Sequence, residues 1–135
     1  MNIRRYIFAS LAVFVFMSSF EWVFHGGVMR DWYIRTAPLW RSEAEMAIYL
    51  PFLLAGQMLF AFVFSYIFIK GYENKGLMEG VRFGLWIGLL TLSGMLISYA
   101  VSPYPADMVC AWVMGAFIEL VIAGGIAALL YKSKG

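Results

Sequence analysis

Five residues in this chain combine a reactive or strongly polar group with an apolar setting: Glu119, Gln57, Glu21, His25 and Thr91. Glu119 is the most demanding of them. At helical spacing its neighbours are Trp112, Gly115, Ala116, Ala123 and Ile126. A charged group at the centre of a bilayer costs about 3 kcal/mol on insertion scales. This carboxyl must therefore either hold a proton or have a partner, and small neighbours point it at another helix. Gln57 and Thr91 sit at comparable depth in their own apolar runs. Glu21 and His25 are four residues apart and share a helical face. Brought together, the five would form a polar track leading to the membrane centre, suited to passing a proton or ion. Inter-helix hydrogen bonds that fix register are the structural alternative.

Metal chemistry has less support. Glu21, His25 and Glu119 make a donor set that iron or zinc accepts in principle. Di-iron bundles, however, use Glu-x-x-His with four carboxylates and two histidines, whereas His25 is the single histidine here. No metal site and no cofactor is expected. Haem at His25 would require its second axial ligand from another chain or from a methionine. His25-Gly26-Gly27 reads more simply as the glycine turn that ends the first helix. The chain has no C-x-x-C, phosphate-binding loop or dinucleotide fingerprint, and its one cysteine, Cys110, lies on the helix face opposite Glu119. Nothing in the sequence reads as a catalytic apparatus.

The elements that must position these residues are four apolar runs, Tyr6–Phe24, Ala47–Ile69, Val81–Val101 and Met108–Tyr131. Each approaches or exceeds the roughly 20 residues that carry a helix across about 30 Å of hydrocarbon. Hydrophobic residues make up 63% of the 135-residue chain and charged ones 13%. A soluble domain, nearer 45–50% and about 25%, could not hide that much apolar surface. Backbone in lipid must satisfy its own hydrogen bonds. The predicted fold is therefore all-α, a four-helix transmembrane bundle in a single domain, with spans at about 6–25, 46–70, 80–101 and 107–131. The first run lacks a small-x-small cleavage site and reads as a retained span rather than a signal peptide. The +2 net charge gives no reason to expect nucleic acid.

Punctuation and charge orient the spans. Ser42 with Glu45 forms a capping box for the second helix, Pro51 should kink it, and Lys70-Gly71 offers a left-handed glycine to end it. Seven basic residues flank the side with both termini (Arg4, Arg5, Lys70, Lys75, Arg82, Lys132, Lys134), against Arg30, Arg35 and Arg41 on the other. This places both termini in the cytoplasm. The outer loop 26–45 carries Trp32, Tyr33 and Trp40 as interfacial anchors, or as a lid. Gly80, Gly84 and Gly88 recur at four-residue steps, with Thr91, Gly94 and Ser98 continuing on that side, and small residues let another helix backbone come close. That approach could lie within the bundle or between copies. Gln57 and Glu119 each precede a lysine by 13 residues (Lys70, Lys132), a faint hint of a repeat.

Thr36-Ala37-Pro38-Leu39-Trp40-Arg41-Ser42-Glu43-Ala44-Glu45-Met46, Lys70-Gly71-Tyr72-Glu73-Asn74-Lys75-Gly76 and Glu79-Gly80-Val81-Arg82-Phe83-Gly84 together resemble a group of small four-span bacterial membrane proteins of uncharacterised function. The resemblance covers nearly the whole chain. It implies four helices and the bacterial inner membrane, and implies no catalytic residue. The leading expectation is a non-enzymatic accessory subunit, partnered by the lipid bilayer and by other membrane subunits or itself. The alternatives are a small transporter or channel built on Glu119, and a metal- or haem-binding redox module.

Overall fold

The computed structural model describes residues 1–131. Lys132 and Lys134, and with them the second half of the 13-residue spacing, lie outside the described residues. Four helices are long and apolar enough to cross a membrane. They are α1 (Ile3–Val23), α3 (Glu43–Lys70), α4 (Leu77–Val101) and α5 (Ala106–Leu130), with a short α2 (Arg30–Arg35) between the first two. The chain is a small integral membrane protein of four-helix type. The N-terminus, the α3–α4 loop and the close of α5 share one end, the terminus end. The segment 24–42 and the α4–α5 turn form the other, the loop end.

Local signals explain most of the helix ends. Asn2 caps α1 by accepting the Arg5 amide at 3.1 Å. Ser42 and Glu45 form the reciprocal capping box at the start of α3. Two expected glycine turns are absent. His25-Gly26-Gly27 does not end the first helix: the chain continues as a π turn over Phe24–Val28, and neither glycine has a positive φ. Gly71 closes α3 at φ −96°, also without a left-handed residue. The left-handed positions come later, at Asn74 (φ 62°) and Gly76 (φ 80°). There the Glu79 carboxylate gathers the Glu73 and Lys75 amides and closes the turn onto the start of α4. In the same loop, Lys75 pairs with the exposed Glu73 carboxylate and holds it below its ordinary range. α3 runs unbroken through Pro51.

The helices pack in the spatial order α3, α1, α5, α4, and the terminus end closes this row into a bundle. Phe64 and Phe68 of α3 meet Phe83 of α4 at ring separations of 4.8 and 5.4 Å. Val13 and Met17 of α1 and Leu120 and Ala123 of α5 complete that core. Hydrogen bonds tie α1 to α3: Tyr6 OH donates to the Phe62 carbonyl at 3.2 Å and Ser18 donates to Gln57 Oε1 at 3.0 Å.

The α4–α5 contact is the tightest in the molecule, and it lies within one chain. A Cβ on Gly80 would fall 2.0 Å from the Gly124 carbonyl oxygen, and one on Gly84 would fall 2.2 Å from that of Leu120. At Gly88 the neighbour is the Phe117 ring, 2.8 Å from such a Cβ. Between apolar helices in lipid, van der Waals contact of this kind replaces the hydrophobic drive. The seam then stops, because a Cβ on Gly94 would meet nothing within 4 Å. α3 also withdraws at the loop end, where Glu43–Gly56 is exposed throughout. One half of the bundle is closed and the other is open.

Gly84→Ala should therefore force the helix backbones apart and cost about 1–3 kcal/mol, read as a lowered thermal midpoint in detergent. Gly94→Ala, at an open position, should leave the midpoint unchanged or raise it, since alanine favours helix by up to about 1 kcal/mol.

Candidate functional site

The open half contains a cavity of about 240 Å³ between α1, α4, α5 and the folded loop. α1 contributes Glu21 and the π turn contributes His25. α5 contributes Trp112, Gly115 and Glu119, and α4 contributes Met95 and Ser98. Among the described residues, α3 lines none of it.

Local packing explains how the side chains arrive. Gly115 leaves room for the Phe24 ring, whose Cζ lies 2.4 Å from where a Cβ would stand. α1 can thus lie close on α5, with Glu21 one turn before Phe24 and Glu119 one turn after Gly115. The π turn then carries His25 past that contact and delivers the chain to Met29, which is fully buried. π turns insert an extra residue into a helical turn and are frequent at functional sites. Here the turn lets α2 fold back over the end of the bundle. Trp32 Nε1 donates to Asp107 at 2.8 Å and Arg35 reaches the same carboxylate at 3.4 Å, latching α2 to the first turn of α5.

Polar contacts form a chain. Trp112 Nε1 donates to the Tyr33 hydroxyl at 3.0 Å. Tyr33 OH meets His25 Nδ1. His25 Nε2 stands 3.1 Å from Glu21 Oε2. The Glu21 carboxyl in turn lies beside Glu119 on the wall of the same cavity. With Nδ1 as acceptor and Nε2 as donor, the His25 ring satisfies these contacts in one direction. Tyr33 then donates to Nδ1, and Nε2–H donates to an ionised Glu21. Two carboxyl groups can share a hydrogen bond only if one of them carries a proton. Glu119 is 5% exposed, and its Oε1 is buried without a hydrogen-bond partner. A buried carboxyl oxygen left unpaired is costly.

Aromatic rings roof the site. Trp40 stacks on Tyr104 with planes 3° apart and centroids separated by 5.8 Å. Both meet the Trp112 ring edge-on, Tyr104 at 5.1 Å and Trp40 at 5.9 Å. Tyr33 meets Trp40 edge-on at 5.3 Å.

The structure brings together Glu21, His25 and Glu119 of the five polar residues singled out in the sequence. It leaves Gln57 and Thr91 apart from them. Gln57 is taken by Ser18, and Thr91 donates to the Ile87 carbonyl of its own helix at 2.9 Å. Of the three aromatic residues of the loop, Tyr33 and Trp40 turn onto the cavity and Trp32 binds Asp107. Gly80, Gly84 and Gly88 serve the α4–α5 seam. Cys110 is exposed. Sequence reasoning passed over Tyr104 and placed Trp112 only as a neighbour of Glu119; the aromatic density around Pro103 and Pro105 was the available signal. Among the described residues, no group of three or more His, Cys, Asp or Glu side chains is arranged to hold a metal. No protein-family model, curated protein or solved structure matches the chain.

Burial raises the Tyr33 phenol above its usual value near 10; the Trp112 N–H opposes the rise and the Glu21 charge adds to it. A folded-state value above the unfolded one favours the protonated fold. That stability is fully present below pH about 10 and is lost as pH rises through the raised value. In alkaline denaturation, wild type should lose stability more steeply above pH about 10 than Tyr33→Phe, which has no proton there to lose.

Proposed function

We propose that the protein is a small proton-exchanging carrier of a cationic solute, with the Glu21–Glu119 pair as its exchange site. One observation carries this reading: a carboxyl buried halfway along an apolar helix keeps an unpaired oxygen, and its residue lines a cavity together with a second carboxyl residue. A purely architectural glutamate would have its oxygens satisfied by neighbouring donors. Intramembrane carboxyls that face a cavity mark ion and proton routes. The exchange is simple. A cation arrives, the proton held on Glu119 leaves, and two carboxylates face one positive charge. Removal of the cation reverses the step.

The basic residues Lys70, Lys75 and Arg82 beside the terminus end support a cytoplasmic setting for that end, and the cavity then sits in the outer half of the membrane. The sequence resemblance supports the bacterial inner membrane. A second reading, an accessory subunit or homo-oligomer, is favoured by the exposed stretch Glu43–Gly56 of α3, which includes Ile48, Leu50, Phe52 and Leu53. A partner helix, another copy or lipid would cover it. The two readings are compatible, since a partner on α3 would stand beside the open half.

Proteoliposomes holding a pH-sensitive dye provide the test. Under an imposed proton gradient, a panel of inorganic and small organic cations should include one that dissipates the gradient in wild type. With Glu119→Gln that dissipation should fall to the level of empty liposomes. A panel that leaves the gradient intact with wild type, or a Glu119→Gln variant that works equally well, would overturn the carrier reading.

A further inference from the structure

We propose that the cavity binds an alkylammonium group, with its positive nitrogen between Glu21 and Glu119 and its apolar substituents against the rings of Trp40, Tyr104 and Trp112. The proposal rests on the carrier reading and deepens it by naming the ligand class. Three observations point the same way.

The first is the pairing of charge with aromatic surface. Rings from the loop (Trp40), the α4–α5 turn (Tyr104) and α5 (Trp112) converge on the cavity that Glu21 and Glu119 also line. Aromatic faces attract cations through their quadrupole, and cages of several rings recognise quaternary ammonium groups. The second is the poverty of oxygen ligands. A hard metal cation asks for about six or more oxygens. Besides the two carboxyls, the cavity side chains offer only the hydroxyls of Tyr33, Ser98 and Tyr104, and Tyr33 is committed to His25 and Trp112. The third is size. About 240 Å³ falls below the roughly 300–1,000 Å³ of sites for drug-sized ligands, and suits an ammonium head with short substituents. That head could belong to a free amine or to an amphiphile whose chain remains in the bilayer, because α3 leaves the open half uncovered.

The proton balance is explicit. On binding, the Glu119 O–H bond breaks and its proton passes to solvent. The ammonium charge replaces it, so the site keeps its net charge. Affinity should rise with pH as that proton becomes easier to remove. The titratable groups facing the pair are His25 in the π turn, Tyr33 on α2 and Tyr104 in the α4–α5 turn; among the described residues, α3 and α4 add none to the cavity wall.

Titration calorimetry on the purified full chain in maltoside micelles tests this. The probes are tetraethylammonium, dodecyltrimethylammonium and sodium, each run in two buffers of different ionisation enthalpy. The expected result is ammonium binding with release of about one proton, tighter at higher pH, and no heat from sodium. Binding of both ammonium probes assigns the site to the head group alone, and binding of the tailed probe only assigns it to a membrane amphiphile; both support the proposal. Glu119→Gln should abolish binding, while Glu119→Asp, still acidic, should retain proton release and shows that the fold survives change at this position. Tyr104→Phe should bind within about twofold of wild type and Tyr104→Leu on the order of tenfold more weakly, since only the first keeps a ring face. The proposal falls if neither ammonium probe binds, if sodium binds as well as they do, if Glu119→Gln leaves binding intact, or if the two Tyr104 variants are equally weakened. Ammonium binding without proton flux in liposomes keeps the ligand class and removes the carrier reading. Sodium-driven flux without ammonium binding does the reverse.

Discussion

A carboxyl group placed halfway along an apolar helix constrains everything packed around it. Glu119 can lie neither against lipid nor, ionised and alone, against protein. In this molecule it turns toward α1 and meets Glu21, itself held by His25. That contact requires α1 and α5 to be neighbours at this depth, and the Phe24 ring over Gly115 makes the approach possible. The line from Trp112 through Tyr33 and His25 then holds the Glu21 carboxylate from the loop end. The Glu21 charge becomes one member of a polar series that runs from Trp112 through Tyr33 and His25.

The division of the bundle into a closed and an open half follows from where small residues are spent. Gly80, Gly84 and Gly124 bring α4 and α5 to backbone contact near the terminus end, and phenylalanines fill the space between α3 and α4. Beyond Gly88 the seam is not maintained, and α3 leaves the bundle beyond Gln57. The same sequence that locks one half therefore keeps the other from collapsing onto its carboxyls. The α2 segment and the Trp40–Tyr104 stack cover the end of that space. Exposed contacts such as Arg35 with Asp107 add little stability, and their use is to register the cover over the cavity.

Four helices were legible in the sequence because an apolar run of sufficient length leaves the backbone no alternative in lipid. The Ser42–Glu45 box and the glycine steps of α4 were legible for similar reasons, since each is a local rule acting on adjacent turns. The end of the second span at Lys70–Gly71 was placed correctly, but its left-handed glycine and the helix end at His25–Gly27 were misread. A glycine permits a left-handed turn without requiring one, and tertiary anchors (buried Met29, the Glu79 carboxylate) decided the backbone path instead. The site was half visible. Glu21 and His25 lie on one helix and their pairing follows from spacing. Their meeting with Glu119 depends on helix order, which no local pattern encodes. Gln57 and Thr91 looked equally suitable by depth, but Ser18 and the Ile87 carbonyl satisfy them locally. The aromatic roof escaped notice because Trp40, Tyr104 and Trp112 come from three separate segments.

The proposed exchange site depends on one proton shared between Glu21 and Glu119. Infrared spectroscopy of the carboxyl stretching region reads that proton directly in the full chain. At neutral pH, wild type should show a protonated-carboxyl band that shifts in heavy water and disappears in Glu119→Gln. A spectrum in which every carboxyl is ionised, or a band that survives Glu119→Gln unchanged, would contradict the account.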